Sequence, residues 1–460
     1  MSPEKLFQSI ARLAKKEKMP VYVVGGFVRD RIMARESKDI DFVVDGSGVE
    51  FAQKIIEPLK AEDDVIFPEF DTARMRVGEY VLEFAGARKE TYDPHSRKPK
   101  VERVQNIAED LARRDFTINA IAMHIDPEHF GEYLDPFDGQ KDIERKIIRT
   151  PLEPSATFSD DPLRMLRAIR FSAQLDFGID GVTLAGIKKE VERIKIISWE
   201  RIRDEILKML GVLQPSVAAN MLFETGLMAH VLPELAVLHG VEFVGEHHHK
   251  DQLAHSIKVA DQMAVLSDKI PLRLAALLHD VGKDATKRFK EGRGWTFDGH
   301  EVVGARMMTG IGNRLRLDAD TIKYVRKLIR WHLRPQVITA EGVTDSAVRR
   351  IIVNMGDWLD DLILIYRADI TTQNPKKLAQ REKDFEVLMR RIEEVRERDR
   401  LRAFQSPVRG EEIMTLCDLK PGRKVGEIKS AIEEAILEGV IPNEYEAAKK
   451  YLFENKNKWL

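Results

Sequence analysis

Cysteine is almost missing from this chain of 460 residues, since Cys417 is the single one. One thiol excludes an internal disulfide framework and is typical of a protein from a reducing cytoplasm. An excess of one charge is missing too, because 74 lysine and arginine residues face 76 aspartate and glutamate residues. A chain that is basic throughout is therefore excluded, although 33% charged residues can still segregate into basic patches that bind nucleic acid.

Long apolar runs are also lacking, so no stretch approaches the length of a membrane span. The N-terminal residues show no secretory pattern, because Lys15 to Lys18 follow a short amphipathic helix rather than precede an apolar one. There is no internal repeat and no low-complexity segment. These absences predict a cytoplasmic protein without membrane contacts, and its length predicts three or four modules.

Secondary-structure patterns change near residue 150. Short β-rich runs at 21–24, 40–44, 80–85 and 118–124 alternate with helical patterns before that point, and Pro151 and Pro154 mark the change. Beyond Asp160 nearly every apolar stretch has helical spacing and the strand patterns vanish. The chain is therefore predicted to be α+β, with a small α/β head on a long, mainly α-helical body.

Two acidic residues in one predicted strand are the most informative feature of the chain. Asp39 and Asp41 alternate with Ile40 and Phe42, so both carboxylates project from one face while the apolar residues face the core. Two like charges this close repel unless a cation lies between them. Mg²⁺ binds such carboxylates together with substrate phosphates, which indicates a phosphoryl-transfer site.

A glycine pair precedes these carboxylates. Gly25 and Gly26 separate a β-rich run from a predicted helix that contains Arg29, and glycines there allow backbone N–H groups to approach a triphosphate. The alternative is a plain strand–turn–helix whose glycines serve only geometry. The combination of strand, glycine pair, helix and paired aspartates favours a catalytic metal site.

These motifs together resemble a known family. Residues 25–30 (Gly-Gly-Phe-Val-Arg-Asp) with Asp39 and Asp41 resemble the head motif of class II, bacterial-type tRNA nucleotidyltransferases and their poly(A) polymerase relatives. The resemblance continues through residues 113–120 and 160–171 and runs almost to the C-terminus. It implies a nucleotidyltransferase head, with Arg113, Arg114 and Asp115 holding the sugar and phosphates of the nucleotide. Paired arginines are otherwise more typical of a solvated face.

Glu83 is a candidate third carboxylate. It lies in another predicted strand, with Leu82 and Phe84 on the opposite face. Beside the aspartate pair it would complete two metal positions, one activating the attacking 3′-hydroxyl and one holding the triphosphate. The alternative is a glutamate on an edge strand in water.

Asp161 and Arg164 are the candidate base-reading pair. Three residues apart on a predicted helix, they would share one face, where the carboxylate accepts and the guanidinium only donates. Cytosine and adenine both present an amino donor beside a ring-nitrogen acceptor, whereas uracil and guanine present the reverse. The pair would therefore accept C and A, although Asp160 or Asp161 can also be read as a helix N-cap before Pro162. Arg164, Arg167 and Arg170 also form a basic stripe suited to nucleotide or RNA phosphates.

A second candidate metal site follows in the helical part. His255, then His279 and Asp280, then Asp369 have the order found in HD-domain metal-dependent phosphohydrolases, and an apolar helix ends at the His-Asp pair. Imidazole and carboxylate ligands suit Mn²⁺, Ni²⁺, Fe²⁺ or Mg²⁺ better than a thiolate-rich zinc site. His300 and His332 are candidates for a second ion. Such domains can also persist as scaffolds, so hydrolysis stays open here.

We divide the chain into four regions on this basis. Residues 1–150 form the head, 151–235 a helical neck for the nucleotide base and RNA, 236–395 the HD domain, and 396–460 a C-terminal region. The stretch 408–452 resembles the part of bacterial CCA-adding enzymes that holds the tRNA elbow.

The predicted function is a tRNA nucleotidyltransferase that adds or repairs the 3′-terminal CCA from CTP and ATP without a template, using two Mg²⁺ ions. Close alternatives are a CC-only or A-only tRNA enzyme or a poly(A) polymerase, distinguished by loop flexibility at residues 63–76. An alternative of another class is an HD-domain phosphohydrolase with an RNA-binding head. The sequence does not determine the oligomeric state.

Overall fold

The computed structural model describes residues 2–91, 100–103, 106–244, 247–248, 251–339, 343–400 and 406–459. These residues divide into two compact units, one made of 1–237 with 314–316 and the other of 238–313 with 317–460. Within the described ranges, no helix combines the length and the apolar character that crossing a membrane requires.

The first unit contains the mixed sheet and the helices that surround it. Its strands are β1 (Val21–Val24), β2 (Asp39–Val44), β3 (Glu62–Phe67), β4 (Thr72–Val77), β5 (Tyr80–Gly86), β6 (Arg88–Thr91), β7 (Lys100–Arg103), β8 (Ala122–His124), β9 (Tyr133–Leu134), β10 (Ile147–Ile148) and β11 (Gly178–Ile179). Its helices are α1 (Pro3–Glu17), α2 (Gly26–Ile32), α3 (Gly48–Leu59), α4 (Ile107–Ala112), α5 (Gly139–Arg145), α6 (Pro154–Asp160), α7 (Leu163–Leu175), α8 (Gly181–Glu190), α9 (Trp199–Leu210), α10 (Pro215–Glu224), α11 (Met228–Val231) and α12 (Pro233–Ala236).

Seven strands form one sheet in the order β3-β4-β5-β2-β1-β8-β9. Strands β2 and β5 are parallel, and their register places Asp41 opposite Glu83. The other pairings in this sheet are antiparallel. The prediction of neighbouring carboxylate-bearing strands is therefore confirmed at the level of the backbone.

Alternation along β2 and β5 builds the core of the head. Ile40, Phe42, Leu82 and Phe84 are almost completely buried, and the rings of Phe42 and Phe84 stack with centroids 4.6 Å apart. Helix α1 adds Phe7, whose ring meets that of Phe42 edge to face. Burial of such rings contributes about 1.5–3 kcal/mol each, which fixes the carboxylate faces of both strands.

The second unit is mainly helical. Its strands are β12 (Phe243–Val244), β13 (His247–His248), β14 (Arg288–Lys290) and β15 (Gly294–Thr296). Its helices are α13 (Gln252–Leu266), α14 (Ile270–Leu278), α15 (Lys283–Thr286), α16 (His300–Arg314), α17 (Ala319–Trp331), α18 (Arg334–Ile338), α19 (Asp345–Met355), α20 (Leu359–Ala368), α21 (Pro375–Arg400), α22 (Gly410–Cys417), α23 (Arg423–Leu437) and α24 (Tyr445–Trp459). Residue 314 at the end of α16 falls in the first unit.

Helix α14 is the centre of the HD region. It is apolar almost all round, every residue from Leu272 to Leu278 is buried, and it packs against α13, α17 and α20. A helix without a polar face requires neighbours on all sides. The helix ends where His279 begins, so the metal-ligand candidates start at the end of a rigid core element.

Three local predictions are wrong. Residues 118–124 are not one strand, because a 3₁₀ turn at Thr117–Asn119 precedes the short strand β8. Residues 63–76 are not a loop, since they contribute the paired strands β3 and β4. Strands do not vanish beyond Asp160, because β14 and β15 form a hairpin in the second unit. In each case backbone pairing with a partner strand, or its lack, overrides the local pattern.

Candidate active site and candidate metal centre

Asp39, Asp41 and Glu83 lie on the solvent-accessible face of the head sheet. Asp39 and Asp41 come from β2, and Glu83 is the neighbour of Asp41 on β5. A metal ion is typically held by three or more ligand atoms that lie close together. Among the described residues, two sets of three ligand atoms within 4.8 Å of one another occur, and both belong to the second unit. The three carboxylates of the head do not form such a set. The structure thus places them side by side, and the third-ligand role of Glu83 stays a prediction.

Nearby cations offset only part of the negative charge of the carboxylates on this face. Desolvation by the surrounding protein raises the pKa of Asp41 even though the side chain is accessible; Arg114 opposes this shift and Asp39 adds to it. The pKa of Glu83 is raised by desolvation and then by the charge of Asp41. Neighbouring oxygen ligands with excess negative charge suit a hard divalent cation, so the residues fit Mg²⁺.

Gly25 closes one side of this face. Its φ of +74° and ψ of −138° lie in a region that side-chain-bearing residues avoid. A Cβ at this position would stand 3.1 Å from Nη1 of Arg114 and 3.2 Å from Oδ2 of Asp41. Because Gly25 has no side chain, the space between Arg114 and Asp41 stays open. The next residue, Gly26, begins α2.

Asp110, which the sequence analysis missed, organises the two arginines. Its completely buried carboxylate accepts from Arg113 at 3.0 and 2.5 Å and from Arg114 at 3.2 Å. Burial alone would raise the pKa of Asp110, but the charges of Arg114 and Arg113 lower it. Asp110 lies on α4, and the two arginines follow it by three and four residues, a spacing that was a readable indication of this pairing.

Asp115 is held inside the protein. One carboxylate oxygen accepts from Nε and Nη2 of Arg167 at 2.8 and 2.6 Å, and the other accepts from the side chain of Asn119 and the backbone N–H of Phe116. Asn119 in turn accepts from Arg29, which is buried and also pairs with Asp30. Asp115, Arg167 and Arg29 are thus linked to one another through Asn119 and Asp115, and their role in nucleotide binding stays a prediction.

The expected arrangement of Asp161 on the helix is wrong. Asp161 has an extended backbone between α6 and α7, because α7 begins at Leu163. Its carboxylate accepts from the N–H of Leu163 at 3.1 Å, which is the N-capping alternative, and from Arg201 of α9 at 2.8 Å. Arg164 donates to the backbone carbonyl of Arg113 at 2.7 Å. Asp161 and Arg164 remain close in sequence at the start of α7, and base reading stays a prediction.

The rest of the basic stripe is paired internally. Arg170 is buried and donates to Glu205 of α9 at 2.6 Å. Its guanidinium lies 4.0 Å from the ring centroid of Phe171, and that of Arg167 lies 5.3 Å from the same ring. With Arg167 and Arg170 occupied in this way, Arg164 is the member of the stripe with most donors left for a ligand.

Six side chains of the second unit converge in two adjacent sets. His255, His279 and Asp369 form one set, and Asp280, His300 and His332 form the other. Asp280 joins them, because its Oδ2 lies 3.2 Å from Nε2 of His279 and its Oδ1 lies 3.2 Å from Nε2 of His300. The structure therefore brings together all the predicted HD ligands, including His300 and His332.

The imidazoles are oriented by their second nitrogens. Nδ1 of His279, His300 and His332 each donates, at 2.8 Å, to a backbone carbonyl three residues earlier. Each Nε2 therefore points into the cluster, which is the orientation that metal-binding histidines have. Burial and the charge of His279 lower the pKa of His332 to about 4, which keeps it neutral and able to bind a metal.

Positive charge is required at the centre of this cluster. Burial opposes ionisation of His279, but Asp280 and Asp369 prevail and raise its pKa to about 10. Nε2 of His279 and Oδ2 of Asp280 are buried without a well-aligned hydrogen bond. Nitrogen and carboxylate ligands that converge in this way fit a divalent metal ion, whose charge would replace that of the His279 proton.

Comparison with known proteins identifies three families along the chain. The Poly A polymerase head domain family matches residues 21–149, the family described as "Probable RNA and SrmB- binding site of polymerase A" matches 176–238, and the HD domain family matches 253–372. The A-adding tRNA nucleotidyltransferase of Deinococcus radiodurans is 31% identical over 353 residues, which cover 74% of this chain and 78% of that protein.

The chain belongs to the tRNA nucleotidyltransferase family.

Other relatives of this nucleotidyltransferase differ in name and extent. The Multifunctional CCA protein of Pseudomonas fluorescens is 35% identical, over 65% of this chain and 71% of that protein. The A-adding tRNA nucleotidyltransferase of Aquifex aeolicus is 43% identical over 170 residues, and the match spans 20% of that protein. A solved CCA-adding enzyme has the same fold, with a TM-score of 0.66 over 99% of this chain and 96% of that one at 24% identity.

Family membership establishes the class of the enzyme as a nucleotidyltransferase with an RNA-binding region and an HD domain. Both domain types imply a dependence on divalent metal ions. The four predicted domain boundaries stay predictions. The matched ranges 21–149 and 253–372 lie within the predicted head and HD regions, whereas the range 176–238 extends three residues beyond the predicted neck.

Proposed function

We propose that this protein extends the 3′ end of tRNA with C and A from CTP and ATP, without a template. The single observation that carries the proposal is the placement of Asp39 and Asp41 on one accessible face, beside Arg114 and Gly25. Relatives over most of the chain that are named for CCA and A addition support the choice of substrate. We infer a cytoplasmic location from the same relatives.

The reaction joins the 3′-oxygen of the tRNA to the α-phosphorus of the nucleotide. As that bond forms, the bond from the α-phosphorus to pyrophosphate breaks and the hydroxyl proton is lost. Asp39 and Asp41, with Glu83, would hold Mg²⁺, which when bound would neutralise the triphosphate and lower the pKa of the hydroxyl. Arg114, fixed by Asp110, would add positive charge where pyrophosphate develops.

Base selection falls to Asp161 and Arg164 in this proposal. Arg201 and the Leu163 N–H each take one position on the Asp161 carboxylate, which leaves further lone pairs to accept from an amino group. The guanidinium of Arg164 keeps donors beyond the one spent on Arg113 for a ring nitrogen. A mispaired U or G would cost about 1–3 kcal/mol for each buried group left unsatisfied.

One assay tests activity and base choice together. Purified protein is given tRNA that lacks CCA, or that ends in C or C-C, with each labelled nucleoside triphosphate and Mg²⁺. We expect C and A to be incorporated, U and G to be rejected, and Asp41→Asn to lose more than about a thousandfold in rate. Glu79→Gln, an exposed carboxylate in the turn between β4 and β5, is the matched control. Full speed in Asp41→Asn would refute the proposal.

A-only addition is a second candidate, favoured by the relative from Deinococcus radiodurans. The same assay separates the two, since an A-adding enzyme extends only tRNA that already ends in C-C. Incorporation of C on tRNA that lacks CCA excludes it.

We further propose that the HD region is a metal-dependent phosphohydrolase. Its six ligands converge, and the set of His255, His279 and Asp369 is partly open to solvent while the other set is buried. Mn²⁺, Ni²⁺, Fe²⁺ or Mg²⁺ would activate the water that attacks phosphorus. One water should open a 2′,3′-cyclic phosphate at an RNA end to a phosphate monoester, and a second water should release the phosphate. Both steps should disappear in His279→Ala and persist in His129→Ala, an exposed histidine of the head. Equal release from both variants would refute hydrolysis at this cluster.

A further inference from the structure

A cavity of about 820 Å³ lies beside the HD cluster, entirely within the second unit. His255 and Asp369 form part of its wall, so the more accessible set of ligand candidates opens into it. The volume is in the range of sites for small organic ligands, far more than inorganic phosphate needs. The remaining walls therefore indicate what else the ligand carries.

One wall is aromatic. Trp295 of β15 and Phe297 line the cavity, and both are half-buried. The hairpin holds the indole, because the ring of Phe289 on β14 meets it edge to face with centroids 5.4 Å apart. The ammonium of Lys287 lies over the ring, 5.1 Å from its centroid, so a base would stack on the opposite face. Stacking of this kind does not depend on the identity of the base.

The wall formed by α21 is basic. Lys377 and Arg381 lie one helical turn apart and both line the cavity; the acidic residue beside them is Asp384, 3.8 Å from Arg381. Arg293, from the tip of the hairpin, also lines it. These cations are separate from Lys283, which is bound to Asp280 at 2.6 Å next to the ligand cluster.

Two separate cationic groups and an aromatic platform surround one opening. We propose that the cavity binds a nucleotide with at least two phosphate groups. The base stacks on Trp295, one phosphate meets the ligand cluster and Lys283, and another meets Lys377 and Arg381. The cleavage of such a ligand rests on the phosphohydrolase proposed above, whereas its binding does not.

Calorimetric titration of the full chain tests the proposal, with Mn²⁺ present throughout. The probes are guanosine 3′,5′-bisphosphate, guanosine 5′-monophosphate and ribose 5-phosphate; guanine is chosen because the head is proposed to reject it. We expect the bisphosphate to bind at least about tenfold more tightly than the monophosphate, and ribose phosphate more weakly than either. Equal affinity for all three would overturn the proposal.

Matched variants assign the binding to this cavity. Trp295→Leu should weaken both guanosine probes about tenfold and Trp295→Phe should restore them. Lys377→Glu should weaken only the bisphosphate, while Lys383→Glu, exposed on the same helix but outside the cavity, should change nothing. Unfolding temperature and nucleotide incorporation by the head serve as folding controls. Wild-type affinities in Trp295→Leu and Lys377→Glu would refute the site.

Two further results distinguish an RNA end from a free nucleotide as the ligand, and failure of the binding proposal from failure of the phosphohydrolase proposal. A dinucleotide with a 3′-phosphate that binds more tightly than the bisphosphate identifies an RNA end, and the reverse order identifies a free nucleotide. Binding that obeys the variants without phosphate release refutes the phosphohydrolase and keeps the site. Phosphate release that is the same for every base and unchanged in Trp295→Leu refutes the nucleotide site and keeps the phosphohydrolase.

Discussion

At the scale of single residues, the head depends on buried carboxylates. Asp110 and Asp115 fix the arginines that surround the predicted nucleotide position, while Asp39 and Asp41 stay accessible. Removing the charge of one partner in a buried ion pair lowers the stability of the protein, because the other charge is left buried and unpaired. Substitutions behind the site should therefore cost both stability and activity.

Asp110→Asn tests this division. Removing the charge leaves Arg113 and Arg114 without their shared anion, and we expect a loss of about 2–4 kcal/mol in the free energy of unfolding. Urea denaturation measures it. The control is Asp138→Asn, an exposed carboxylate paired with Lys141, which should change stability by less than about 0.5 kcal/mol. Equal stability of the two variants would contradict the role given to Asp110.

The pH dependence of stability should report Asp115. Burial opposes its charge, but Arg167 prevails and lowers the pKa to about 2 from an ordinary 3.8. A depressed pKa stabilises the fold above pH 3.8 and the contribution fades as pH falls toward 2, so about 2 kcal/mol is present at neutral pH. The stability advantage of the wild type over Asp115→Asn should shrink by about 1 kcal/mol between pH 6 and pH 3. An advantage that is constant over this range would show that Asp115 does not titrate this way.

At the scale of elements, the turn between β1 and α2 couples backbone strain to the active site. Gly25 has a backbone that favours glycine and also faces Arg114 and Asp41, whereas Gly131, with φ of +85°, faces open space. Both glycines have a positive φ, and they differ in their neighbours. Replacing each glycine by alanine therefore distinguishes backbone strain from obstruction of the active site.

Both alanine variants should lose about 1 kcal/mol of stability, because a Cβ is disfavoured at positive φ. Only Gly25→Ala should also lose nucleotide incorporation, by tenfold or more, since its Cβ enters the space beside Asp41. Thermal unfolding and the labelled-nucleotide assay give the two readouts. Similar activity in both variants would remove Gly25 from the site.

Helices α7 and α9 show how one element positions another. Arg201 and Glu205, four residues apart on α9, hold Asp161 before α7 and Arg170 within it. Through these two contacts α9 supports both α7 and the segment before it. The start of α7 is thus fixed from outside the helix.

At the scale of the whole molecule, each of the two compact units carries one set of metal-ligand candidates. A chain of this kind is not expected to unfold in one two-state transition. A ligand that binds one folded unit stabilises that unit, by about 2.7 kcal/mol at a hundred times its Kd.

Mn²⁺ should therefore raise the unfolding temperature of the second unit in the wild type and fail to do so in Asp280→Ala, because Asp280 joins both ligand sets. Asp357→Ala removes an exposed carboxylate of the same unit and should respond as the wild type does. Differential scanning calorimetry with and without Mn²⁺ measures the shift. A full shift in Asp280→Ala would place the metal elsewhere.

The sequence by itself determined the features that depend on neighbouring residues. The two-residue period of a strand put Asp39 and Asp41 on one face, and the apolar pattern before His279 indicated a buried helix ending at the ligand pair. Family-like motifs added the HD ligands. These features survive because backbone geometry alone relates residues so close in the chain.

Only the tertiary structure decided which distant groups meet. Arg201 pairs with Asp161 forty positions away, Asp280 reaches both His300 and His332, and the hairpin that carries Trp295 forms beside α21. No local pattern encodes these distances, because the partner of a charge is set by how separate elements pack. Local periodicity thus fixes the face on which a side chain lies, and packing fixes what that side chain touches.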